Sequence, residues 1–216
     1  NRRSPRPRLD QPRHKKRKAP ARGFLFACMT GRTVLGIDAA WTATEPSGVA
    51  LVRQTATGWR LVAVQPSYQH FIALAEGSPI SSRAVGSIPD ISALVEAAHK
   101  LGGRTLDLVA VDMPLARGPI TERRVSDNAV SRVYGARKCG THSPSAERPG
   151  WIAAALRDGF AAAGFALSTT TIQSPALIEV YPHPALVELA QSAERLPYKI
   201  SRIGKYWPDC KAPERR

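Results

Sequence analysis

Three acidic residues stand at the ends of apolar, β-rich runs. Asp38 closes Val34-Leu35-Gly36-Ile37, Asp112 closes Leu108-Val109-Ala110-Val111, and Glu179 follows Leu177-Ile178. A strand built for burial has no packing use for a carboxylate, because an unpaired charge is costly to desolvate. Three such acids, far apart in the chain, point to one site that collects negative charge. A divalent cation is the usual reason to collect it. Taken singly, each acid has an ordinary alternative: capping a turn, or pairing with an arginine at a strand end.

Other polar residues lie where they can serve such a site. Arg123, Arg124 and Arg132 fall on or near one helical segment, and positions 124, 127 and 131 share a face of it. Arg124 can contact a phosphate with Asp127 fixing its orientation; a solvated ion pair of little worth is the equal alternative. Lys199, Arg202 and Lys205 suggest a basic track or simply a charged outer face. His183 follows Glu179 closely and can act as a general acid or as a partner to a metal ligand. Its flanking prolines offer the plainer role of holding a strand-to-helix turn. Trp41, just after Asp38, can stack on a base or pack as most tryptophans do. His142 reads as a loop histidine. Cys139-Gly140-Thr141-His142 resembles half a zinc site without a second half.

The charge balance separates tail from body. The chain carries 31 Lys+Arg against 17 Asp+Glu, but residues 1–28 alone hold a net +9 and the remainder only +5. The body is therefore mildly basic, which permits a phosphate-bearing partner without requiring one. Residues 1–28 are rich in Pro and Arg and are expected to form a disordered basic tail. Met29, directly before the first strand, stands where a natural start would, so the tail reads either as upstream sequence outside the native protein or, through Lys15-Lys16-Arg17-Lys18, as a nuclear-localisation or nucleic-acid arm. Three cysteines without dense spacing do not describe a disulfide scaffold, which makes the cytoplasm the default compartment. No run approaches the ~20 apolar residues a bilayer crossing needs, and no membrane association is expected.

The elements that must position the acids can be read in order. Thr33–Asp38, Val49–Arg53 and Trp59–Val64 alternate with turn signals at Glu45-Pro46-Ser47-Gly48 and Thr57-Gly58, as an antiparallel meander would. Residues 67–89 carry no clear pattern. Asp90 is an N-cap for a helix through Lys100 ended by Gly102-Gly103. Leu106–Val111 is a fourth strand, apolar enough to be buried on both faces. A basic helical pattern over 120–134 precedes a loop at 135–148. A helix over Trp151–Ala163, a strand over Phe165–Thr171, a core strand over Leu177–Tyr181 and a helix from Pro184 complete the order. This is an α/β domain spanning 29–207, with three antiparallel strands, then parallel strands, flanked by helices. Residues 208–216 read as an irregular end where a further helix is expected.

Gly36-Ile37-Asp38-Ala39-Ala40-Trp41, Pro46-Ser47-Gly48-Val49-Ala50-Leu51 and Val111-Asp112-Met113-Pro114-Leu115 together resemble domain-of-unknown-function family 429, predicted nucleases of ribonuclease H-like fold. Arg123-Arg124-Val125-Ser126-Asp127 with Arg132, Tyr134 and Gly135, and then Glu179-Val180-Tyr181-Pro182-His183-Pro184, continue the likeness over roughly 33–207. The resemblance implies a ribonuclease H-like mixed sheet whose first and fourth strands supply acids, at Asp38 and Asp112, with Glu179 at a later acidic position. It implies metal-dependent hydrolysis of nucleic acid with Mg2+ or Mn2+. Two such ions about 4 Å apart activate a water and stabilise the leaving oxyanion. The expected roles are Asp38 bridging the ions, Asp112 binding one, and Glu179 binding one or orienting the water. Related nucleases add a carboxylate from a C-terminal helix that has no counterpart here after Trp207. A non-catalytic nucleic-acid-binding or scaffold protein of the same fold is therefore the alternative. An actin-like ATPase or kinase ranks lower, since Ala39-Ala40-Trp41 replaces its glycine-rich phosphate turn.

Overall fold

The computed structural model describes residues 31–199 and 202–210; the expected tail at 1–28 lies outside them. A six-stranded sheet in the order β3-β2-β1-β4-β6-β5 forms the frame. Its strands are β1 (Thr33–Asp38), β2 (Gly48–Thr55), β3 (Gly58–Gln65), β4 (Leu108–Val111), β5 (Ala166–Leu167) and β6 (Ala176–Glu179). The first three pair antiparallel, and β1, β4, β6 and β5 run parallel. The expected mixed sheet is observed, and it is compatible with a ribonuclease H-like arrangement.

Helices follow from local signals. Asp90 accepts a hydrogen bond from the Ala93 amide and caps α2 (Ile91–Gly102), which Gly103 ends at φ 67°, a left-handed turn that glycine adopts without strain. Ser67 caps α1 (Tyr68–Glu76) in the same manner, within the stretch that lacks a clear sequence pattern. The remaining helices are α3 (Val125–Tyr134), α4 (Trp151–Ala162), α5 (Pro182–Leu189) and the short α6 (Ile203–Tyr206). The strand expected over 165–171 shrinks to two residues. Because β5 runs parallel to β6, the chain must leave the ladder after Leu167 to return to the start of β6.

Register explains the core. Leu51, Leu35, Val109 and Leu177 stand in one row across four strands and are fully buried. Paired residues share a face, so this row presents one apolar surface. Helices α1, α2 and α4 bring Phe71, Leu94, Leu156 and Phe160 into the same core. The next row contains Val49, Ile37, Val111 and Glu179. Asp38 and Asp112 follow Ile37 and Val111, one residue further on. Side-chain alternation therefore sends Asp38 and Asp112 to the opposite side of the sheet edge from Glu179. Among the described residues no helix is long and apolar enough to cross a membrane.

Candidate functional site

All three acids reach the carboxyl-terminal edge of the parallel strands, where α/β sheets open their ligand crevices. A cavity of about 620 Å³ lies there, and its walls include Asp38, Asp112, Glu179, Trp41, His142 and His183. The sequence separations gave no distances; the parallel pairing of β1, β4 and β6 brings the acids together. The Asp112 amide still donates to the Ile37 carbonyl at 2.8 Å, so the ladder continues into the site.

The three carboxylates are not equivalent. Glu179 is bound by Arg124 through two hydrogen bonds of 2.6 Å, Nη1 to Oε2 and Nη2 to Oε1. It also accepts from the Leu115 amide at 2.9 Å. Arg124 reaches Asp127 through Nε at 3.0 Å and Nη2 at 2.8 Å, and donates to the Leu115 carbonyl at 3.0 Å. These contacts use all five guanidinium donors. Arg124 thus lines the cavity, but a phosphate contact would require it to give up a bond to its own fold. Glu179 raises the Arg124 pKa further, chiefly by hydrogen bonding, against the effect of burial. Burial would push the Asp127 carboxyl up, but the hydrogen bonds and charge of Arg124 hold it below its ordinary value. The Asp127 side chain is only 5% exposed, and it also accepts from the Arg124 backbone amide at 3.0 Å, closing the start of α3.

Asp38 and Asp112 stand differently. Neither side chain is hydrogen-bonded or ion-paired to another described side chain. Burial, followed by the charge of Asp38, pushes Asp112 up to about 6; Lys199 eases the rise and Glu179 adds to it. A carboxylate whose ionisation is made costlier by a neighbouring acid would be relieved by an external cation. Among the described residues no group of three or more His, Cys, Asp or Glu is placed to hold a metal ion. Of the three acids, Asp38 and Asp112 are the two whose side chains are left without a hydrogen-bonding partner among the described residues. Mg2+ and Mn2+ are commonly held by one or two carboxylates together with waters and substrate phosphate, and hard oxygen donors of this type are what Asp38 and Asp112 would offer such an ion.

The remaining expected residues are distributed as follows. Trp41 lines the cavity and meets His142 edge-on, with ring centroids 6.2 Å apart. His183 is buried at the cavity wall, and its Nδ1 lies 3.0 Å from the Tyr198 hydroxyl. Burial, then the charges of Arg195, Lys199 and His142, lower its pKa to about 4. It is neutral at pH 7, which suits a hydrogen-bonding partner better than a proton donor. Arg132 is exposed in the last turn of α3 and is not part of the cavity wall.

Arg123 has a structural task. It donates to Asn128, to the Asp127 and Thr141 carbonyls, and to the hydroxyls of Ser131, Thr141 and Ser143, and so ties the 135–148 loop to α3. Tyr181 donates to the Gly140 carbonyl at 3.0 Å and fastens the same loop to the end of β6. This loop presents His142 to the cavity. Cys139 is a buried free thiol. Residues not singled out as site residues by sequence reasoning also line the cavity: Arg148, Arg195 and Tyr181. Tyr181 sits within the Glu-Val-Tyr-Pro-His motif and could have been found from it. Arg195, a lone cation between Glu194 and Leu196, gave no signal.

The model of one family, described as a protein of unknown function (DUF429), matches residues 36–206. No curated protein and no solved structure matches the chain.

Proposed function

The chain belongs to that family of unknown function, and from its site we propose a hydrolase that cleaves phosphodiester bonds of nucleic acid with a divalent cation held by Asp38 and Asp112. The observation that carries the proposal is the pair itself: two carboxylates at the ends of adjacent parallel strands, lining one cavity, neither in an ion pair among the described residues. Mg2+ or Mn2+ bound there would supply charge stabilisation for the reacting phosphate and lower the pKa of a bound water.

The protein's own residues do the rest. Asp38 and Asp112 provide hard oxygen ligands on rigid strand ends. Glu179 acts through Arg124, holding the turn after β4 at Leu115 so that Asp112 keeps its position. His183, neutral and hydrogen-bonded to Tyr198, provides a polar wall without adding charge. Trp41 and His142 offer an aromatic edge against which a base can rest.

The test is Mn2+ binding by calorimetry, together with cleavage of labelled single-stranded DNA and RNA, for the wild type, Asp38→Asn and Asp112→Asn. Binding and cleavage should be present in the wild type, lost in both variants, and abolished by chelation. Cleavage that persists in Asp38→Asn would remove the carboxylate pair from the mechanism. A folded wild type that binds nucleic acid but neither binds Mn2+ nor cleaves would favour the non-catalytic reading, which the capture of Glu179 by Arg124 also favours.

A further inference from the structure

Most cations near the cavity are committed to the fold. Arg123 and Arg124 use their donors internally, Arg137 binds Glu188 and the carbonyls of Ser192 and Ala193, and Lys138 pairs with Glu194. Four cations in the wall are different. Arg148, Arg195, Lys199 and Arg202 line the cavity, and none of their side chains has a hydrogen-bonding or ion-pairing partner among the described residues. Arg195 Nε is buried with no hydrogen-bond partner among the described residues, an arrangement that ordinarily calls for a ligand or a water.

The position of Arg195 is built rather than incidental. Its backbone amide donates to the Arg137 carbonyl at 2.9 Å. Arg137 in turn holds the Ser192 carbonyl at 2.6 Å, so the segment after α5 is tied to Arg137 at two points. The charges of Arg195 and Lys199 are felt by His183, and that of Lys199 by Asp112. The cationic wall therefore stands beside the carboxylate pair. The cavity is of the size that holds a small molecule or a nucleotide unit rather than a duplex.

Resting on the phosphodiesterase reading, we propose that Arg195 and Lys199 form a seat for a nucleotide's terminal phosphate monoester, so that the cavity takes a strand end or a single nucleotide. A monoester carries more charge than an internal diester and offers more acceptor oxygens to a guanidinium fork. Trp41 and His142 would then face the base of that same nucleotide.

The experiment is equilibrium binding of fluorescent single-stranded oligonucleotides in chelator, so that no divalent cation takes part. The strands carry phosphate at the 5′ end, at the 3′ end or at neither, and a duplex of the same sequence is the fourth probe. The full chain should bind one phosphorylated end about tenfold more tightly than the unphosphorylated strand, the scale expected of one or two charge-assisted hydrogen bonds. Arg195→Ala and Lys199→Ala should each erase most of that preference, and Arg195→Lys should keep part of it. Asp38→Asn should keep or increase it, because it removes a repelling carboxylate while abolishing Mn2+ binding. Competition by the matching nucleoside monophosphate at equal concentration would identify a free nucleotide as the ligand; weak competition would identify the strand end. Equal binding of all single strands, or a preference that survives Arg195→Ala in a folded protein, overturns the phosphate seat. That result leaves the carboxylate proposal standing if Mn2+ still binds.

Discussion

Asp112→Asn should make the protein more stable at neutral pH, although it alters a cavity-lining residue. The Asp112 carboxyl titrates at about 6 in the folded chain, against an ordinary value of 3.8, because it is partly buried and faces Asp38. A carboxyl with a raised folded pKa binds its proton more tightly in the native state. Its penalty is absent below pH 3.8 and fully present above about 6. At about 1.4 kcal/mol per pKa unit, the shift corresponds to a ceiling of about 3 kcal/mol. Partial exposure of the side chain screens this, and about 1–2 kcal/mol is the working figure. Asparagine keeps the shape, removes the charge and breaks no side-chain hydrogen bond among the described residues. The midpoint of thermal unfolding at pH 7.5 should therefore rise by about 2–8 °C in chelator. His183 runs the other way. Its folded pKa of about 4 lies below the ordinary 6.5, so it favours the native state at high pH and that contribution is lost as pH falls through 6.5 toward 4. In the wild type the two slopes offset one another across this window. In Asp112→Asn only the histidine slope remains, and the advantage over the wild type should vanish as pH approaches 4. The assay is a series of thermal or urea unfolding curves from pH 4 to 8. An Asp112→Asn protein that is less stable at pH 7.5, or whose gain is the same at pH 4, would refute the view that Asp112 is held ionised against a repulsive surround. Mn2+ should narrow the gap by stabilising only the wild type.

Arg124→Ala leaves Asp127 buried and Glu179 unneutralised, and should lower stability by about 2–4 kcal/mol at pH 7 in denaturant unfolding. Asp127 has a lowered folded pKa, so its contribution is present above the ordinary carboxylate value and lost as pH falls through the lowered one; that acid-side loss should be smaller in Arg124→Ala. Glu179→Gln should weaken the fold less and leave Mn2+ affinity within about threefold, whereas a large loss of affinity would make Glu179 a ligand after all. Gly86 packs against the Thr44 carbonyl and the Glu45 amide, so that a Cβ there would collide with the backbone of the loop that carries Trp41. Gly86→Ala should shift Trp41 fluorescence and weaken single-strand binding with little change in Mn2+ binding; unchanged fluorescence would mean the loop accommodates the methyl group.

The amino-acid sequence by itself determined most of the local structure and the chemistry on offer. Asp90 with Gly102-Gly103, the strand-end acids Asp38 and Asp112, and the three-strand meander were all legible, because capping, turn geometry and strand alternation depend on residues close together in the chain. The first helix was not, because Ser67 is a weak signal without the tertiary surface that buries Phe71. Only the tertiary structure decided what the acids do. Whether an acid meets another acid or an arginine depends on strand register and on which face its side chain takes, and no spacing within one segment encodes either. Register set Asp38 beside Asp112 and turned Glu179 to the other side. There Arg124, 55 residues away in sequence, uses its guanidinium to bind Glu179 and Asp127 at once. The same long-range packing committed Arg123 and Arg124 to the fold and left Arg195, silent in the sequence, at the cavity wall with its Nε unpaired among the described residues.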